Sequence, residues 1–262
     1  ARRAGGVAVA SDYTPHWAKS GNNHAWSVVI GADGNGYSPI SGVAAKVYRK
    51  TFSEQLDSLG AKLDEGEKAP RWLKGKYYKD VTKSYVPTSD VSVVVTPSEQ
   101  KYAYLCVFNS GHWKAIQWSE IENNVASFSG MGRDILYLPA FYINEEIVAA
   151  WQPFILDKDG MTRIMRTDGI KVDISTNEST GKRVTYEGMT DESFSVPLKV
   201  GKKYALQQWT DGVWVEIATT IGSEEPMVFN ELSSGGLYWL VEVGGDHEER
   251  PFTIEDSQIV RW

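Results

Sequence analysis

Cysteine is almost absent from this chain of 262 residues: Cys106 is the only one. A disulfide framework within the chain is therefore excluded, and so is a cysteine-based metal cluster. Histidine is scarce too, with four in all, and His112 and His247 are too isolated to suggest a zinc site. Basic charge is in deficit, with a net charge of −7. That argues against a nucleic-acid partner, which calls for a basic face. No apolar run approaches the roughly 18 residues that indicate a membrane span. Acidic residues are not arranged as a calcium loop either. Asp157-Lys158-Asp159-Gly160 lacks a third acidic ligand before the glycine and a closing glutamate, so it reads as a hairpin turn.

Aromatic residues are abundant, with ten tryptophans and thirteen tyrosines. They favour strands and surfaces that bind sugars or partners. From residue 77 onward the chain is a series of short aromatic and β-branched runs separated by turns. This part repeats at a fixed offset of 101. Leu105, Phe108, Gly111, Trp113 and Ile116 fall on Leu206, Trp209, Gly212, Trp214 and Ile217. Phe128, Leu136 and Tyr137 fall on Phe229, Leu237 and Tyr238. Both copies end in similar tails, Pro153-Phe154-Ile155-Leu156 and Pro251-Phe252-Thr253-Ile254. The expectation is two tandem antiparallel β-sandwich domains, over residues 77–167 and 168–262. Trp113 and Trp214 are expected as core anchors of their own copies.

Residues 1–60 read differently. Val7-Ala8-Val9-Ala10 is a short buried strand and Ala25 to Ile30 a second. A turn at Asp33-Gly34 predicts a third strand near Tyr37 to Val43. Ser53 is expected to cap a short helix through Leu59, and residues 61–76 read as a linker. His16 is expected in a surface loop. Ala1-Arg2-Arg3-Ala4-Gly5-Gly6 reads as the end of a helix with its glycine stop.

Three local patterns carry a resemblance. They are Gly5-Gly6 before a strand ending in Asp12, Pro15-His16-Trp17, and a Gly/Asn turn leading into His24-Ala25-Trp26. Lys46-Val47-Tyr48-Arg49-Lys50-Thr51-Phe52, Lys79-Asp80-Val81-Thr82, Tyr137-Leu138-Pro139 and Glu249-Arg250-Pro251-Phe252-Thr253 fit the same pattern. Together they resemble the transglutaminase-like, papain-related superfamily in a form found in bacterial envelope proteins. The resemblance implies a mainly β chain: a partial α+β transglutaminase-like domain, then the two repeated β-sandwich domains. It implies a location that is secreted, periplasmic or on the outer cell surface, and no cofactor.

That superfamily uses a cysteine thiolate, a histidine that exchanges its proton, and an acidic residue that orients the histidine. By resemblance His24 is the imidazole, and the thiol is expected on the helix ending at Ala1 to Ala4. Cys106 lies in a core-strand pattern and does not replace it. Ser41 stands at the position of the acidic residue, where it carries no charge; Asp12 is the candidate substitute. The chain alone is therefore expected to be inactive. Trp17 and Trp26 are candidate binding residues beside His24. Trp118, near a strand end, is a candidate for stacking on a sugar ring. The alternative function is a non-catalytic module that binds a peptide or glycan at the cell surface.

Overall fold

The strand Tyr102–Asn109 is buried along its whole length. Its alternate residues serve two different cores, as the two-residue period of a strand requires. Ala103, Leu105 and Val107 point into one cluster with Phe128, Met131, Tyr137 and Phe154. Tyr102, Tyr104, Cys106 and Phe108 point into another, with residues from every part of the chain. This second cluster joins the molecule together.

The computed structural model describes residues 5–40, 42–180 and 195–262. Within them the chain is mainly β, in several antiparallel sheets. The N-terminal sheet contains β1 (Val9–Thr14), β2 (His24–Val29), β3 (Tyr48–Lys50) and β4 (Tyr78–Asp80), in the order β2-β1-β3-β4. The Asp33-Gly34 turn forms, closed by Gly34 N–H on the Gly31 carbonyl at 3.0 Å. No strand follows it, however: the described residues of the expected strand are irregular, and β2 is an edge. β3 pairs with the other side of β1, which brings Arg49 opposite Asp12. Ser41 lies outside the described residues, as do Ala1 to Ala4.

The short helix α1 is Leu59–Lys62, preceded by Ser58 rather than capped by Ser53. Leu59, Ala69 and Leu73 are buried in the joining core. Residues 61–76, expected as a linker, thus contribute Ala69 and Leu73 to the joining core.

The first repeat contains β5 (Thr88–Val94), β6 (Tyr102–Asn109), β7 (His112–Glu122), β8 (Val125–Gly132), β9 (Ile135–Ile143), β10 (Glu146–Ala149), β11 (Phe154–Leu156) and β12 (Thr162–Ile164). Their order is β12-β11-β9-β6-β7-β8-β5. The second contains β13 (Lys171–Thr176), β14 (Glu178–Thr180), β15 (Ser195–Pro197), β16 (Lys203–Thr210), β17 (Val213–Ile221), β18 (Met227–Ser233), β19 (Tyr238–Glu242), β20 (Phe252–Glu255) and β21 (Gln258–Arg261). It runs β21-β20-β19-β16-β17, with β18 paired to β13. The run β12-β11-β9-β6-β7 and the pair β8-β5 thus recur as β21-β20-β19-β16-β17 and β18-β13, whereas the β7-β8 pairing of the first copy has no counterpart among the described residues of the second.

The duplication extends to single bonds. The register slips between Leu105 and Cys106 in one copy, and between Leu206 and Gln207 in the other. Tyr137 donates its hydroxyl to the Gly132 carbonyl at 2.7 Å, and Tyr238 does the same to Ser233 at 3.0 Å. Phe154 faces Tyr137 as Phe252 faces Tyr238, with ring centroids 5.7 and 5.6 Å apart.

Trp113 and Trp214 do not anchor separate cores. Trp113 packs on Trp209 at 5.6 Å, and the equivalent pair, Trp214 on Phe108, lies at 5.9 Å. The two copies therefore meet back to back about a pseudo-twofold, with Trp239 closing the cluster at 5.1 Å from Phe108. The rings meet edge to face, the arrangement the aromatic quadrupole favours. The indole N–H groups of Trp113, Trp209 and Trp214 have no hydrogen-bond acceptor among the described residues. Edge-on packing turns ring edges toward neighbouring ring faces, where an N–H still gains a weak interaction.

Candidate functional site

The registration of β1 with β2 sets the site. Thr14 lies opposite His24 and Asp12 opposite Trp26, so all four side chains share one face. His24 is exposed at the start of its strand, while Asp12 is fully buried. The His24 ring stacks on Trp26 at 5.7 Å and on Trp17 at 6.3 Å. Trp17 is held in place by Gly42: a Cβ at that glycine would lie 2.7 Å from the indole. Tyr85 meets the edge of Trp26 at 5.5 Å, and the exposed Tyr37 leans on Tyr85 at 5.3 Å.

Beneath these rings lies a closed polar network. Arg49 grips Asp12 with two hydrogen bonds of 2.8 Å, from Nε and Nη2, and Nη2 also reaches the Gly36 carbonyl at 2.9 Å. Tyr85 donates its hydroxyl to Asp12 at 2.6 Å and accepts from the Trp26 indole N–H at 3.1 Å. Burial, reinforced by the bond to Asp12, pushes the Tyr85 hydroxyl up to about 12. The hydrogen bonds it donates to Asp12 hold the Arg49 guanidinium above its ordinary value. The charge on Asp12 is thus spent on Arg49 rather than on His24.

This places the residues read from the sequence. His24, Trp17, Trp26 and Asp12 come together on one face. Asp12 serves a structural ion pair, and among the described residues no carboxylate is bonded to the His24 imidazole. Trp118 is elsewhere: half-buried, it packs edge-on against Tyr102 at 5.6 Å in the joining core. His16 is half-buried rather than a surface residue. Burial, with Lys114 adding to it, lowers its imidazole to about 4. Cys106 is fully buried, which raises its thiol far above the usual range and leaves it unreactive. The Asp157 carboxylate accepts from the N–H groups of Asp159 and Met161 at 2.9 and 2.8 Å, so this segment is a turn. Among the described residues no cluster of histidine, cysteine and acidic side chains is placed to hold a metal, and no helix is long and apolar enough to cross a membrane.

Arg49 and Tyr85 were not singled out by the sequence. Arg49 lies in the run Lys46 to Phe52, which marks the resemblance and no site, and Tyr85 is one of the many aromatics after residue 77. Neither an alternating strand signal nor a turn signal marks an ion-pair partner.

Comparison with models of known families, with curated proteins and with solved structures found no match.

Proposed function

We propose that this chain is a transglutaminase-like protein of the cell surface whose N-terminal unit binds a glycan or peptide and does not process it. The two repeats are its tandem β-sandwich scaffold. The observation that carries this reading is the commitment of Asp12 to Arg49 and Tyr85 beneath an exposed stack of His24 and Trp26. A carboxylate held this way does not orient an imidazole as a general base requires. Aligned ring faces, with a donor-bearing imidazole at the edge, suit the flat apolar face of a sugar. A secreted, periplasmic or outer-surface location accompanies the resemblance.

The test is a titration with cell-wall oligosaccharides and with short peptides, followed through the His24 and Trp26 ring signals by NMR. Saturable shifts in those signals, lost in His24→Ala, are the expected outcome. Acyl transfer from a thioester or amide donor, abolished by His24→Ala, would overturn the binding reading. It would leave the catalytic alternative, with His24 as the acid/base group.

A further inference from the structure

The loop between β1 and β2 carries Trp17 and delivers the chain to His24. It reads Pro15-His16-Trp17-Ala18-Lys19-Ser20-Gly21-Asn22-Asn23. Most of it is small or polar; within it Trp17 N–H bonds the Asn22 carbonyl at 3.1 Å, while Ala18 N–H reaches out of the loop to the Val43 carbonyl at 2.9 Å. Its inward carbonyls take their donors from far along the chain. Asn109, 2% exposed, sends its Nδ2 to the carbonyls of Trp17, Ser20 and Asn22, each at 2.9 Å. Arg250, 4% exposed, sends Nη2 to the Ala18 carbonyl, Nη1 to Phe108 and Nε to Trp262 at 2.7 Å. The turn after Asn109 is itself locked against the second copy: a Cβ on Gly111, whose φ is +75°, would lie 2.6 Å from the His247 carbonyl.

We infer that Asn109 of the first repeat and Arg250 of the second are positioning residues for the His24 face, fixing the loop that sets Trp17 against His24. The inference rests on the proposed role of that face. It assigns the repeats a task beyond spacing: the donors come from both copies, and their acceptors include the backbone of Trp17 itself. An unbonded carbonyl turned inward is costly, so each donor removed frees the loop to move. Asn109 is also backed by Ser110, whose hydroxyl donates to Asn109 Oδ1 at 3.2 Å.

The test needs no ligand, so it fails or succeeds separately from the binding proposal. Asn109→Asp keeps the shape but removes every donor; Arg250→Lys keeps the charge but not the fork that reaches three carbonyls. In the full chain, amide exchange at Trp17 and Ala18, whose N–H groups are bonded to Asn22 and Val43, is expected to rise at least tenfold in both variants while exchange in β6 and β8 stays unchanged. The ring-current shift of the His24 Cε1 proton, assigned by its loss in His24→Ala, is expected to move toward the value of an unstacked imidazole. Global weakening of the fold does not move that signal in the folded state. Ser110→Ala, which removes the hydroxyl that accepts from Asn22 N–H at 3.4 Å, is the milder variant if the others fail to fold, with the faster exchange confined to Asn22. Parent-like exchange and an unmoved His24 signal would overturn the inference. Loosening by Arg250→Lys of the second copy alone would refute the part assigned to that copy.

Discussion

Asp12 and Arg49 face each other directly across β1 and β3, joined by two hydrogen bonds of 2.8 Å in a site closed to solvent. A bidentate pair of this kind fixes strand register as well as charge. Removing one partner leaves the other charge buried and unpaired, which is far costlier than losing the pair itself. Arg49→Met is therefore expected to destabilise the protein by about 3–5 kcal/mol. The double variant with Asp12→Asn is expected to recover part of that loss, and urea unfolding of the three variants checks it.

The back-to-back aromatic cluster makes a second prediction. Trp214→Ala removes contacts to Phe108, Trp209 and Trp239 at 5.9, 5.2 and 5.5 Å. The expected cost is about 3–5 kcal/mol, as for large-to-small changes in a core. Because the cluster joins the copies, near-ultraviolet circular dichroism is expected to lose signal from both. Separate unfolding of the second repeat, with the first unaffected, would contradict the shared core.

His16 predicts a pH dependence. Burial lowers its folded-state value to about 4, below the 6.5 of an unperturbed imidazole. The unfolded chain therefore takes up the proton first as pH falls. Stability from this group is complete above about pH 6.5, declines as pH drops toward 4, and is fully lost below it. The span corresponds to roughly 3 kcal/mol at most. His16→Gln is expected to flatten the stability profile across this interval, measured by chemical unfolding at a series of pH values.

Cys106 predicts silence. Its thiol is fully buried on the joining face of β6, and burial alone raises its proton affinity. A disulfide reagent such as dithionitrobenzoate is expected to label it only at the rate of unfolding. Labelling within seconds in native buffer would show that the joining core opens.

The strands after residue 77 were legible because their signals are local. Alternation places Leu105 and Val107 on one face and Cys106 and Phe108 on the other, whatever the rest of the chain does. The offset repeat carried further than expected, into shared register slips and matching tyrosine bonds. The N-terminal unit was less legible. The Asp33-Gly34 turn satisfies local rules and forms, but the segment beyond it leaves β2 as an edge and bonds elsewhere: Val43 accepts from Ala18 N–H at 2.9 Å and Ala45 from Gly132 N–H at 3.0 Å. Local turn rules fix a reversal of the chain, not whether the chain beyond it stays beside the strand it left.

The same division holds for the site. The sequence marked His24, Trp17 and Trp26 through the resemblance carried by Pro15-His16-Trp17 and His24-Ala25-Trp26. It also established the duplication, since periodicity and spacing are properties of the chain. Only the folded structure decided that Asp12 answers to Arg49, that Trp113 and Trp214 meet across the copies, and that Asn109 and Arg250 hold the loop before His24. These contacts join residues separated by as many as 232 positions. A buried charge or carbonyl takes whichever partner the packing brings within reach, and that depends on every element at once.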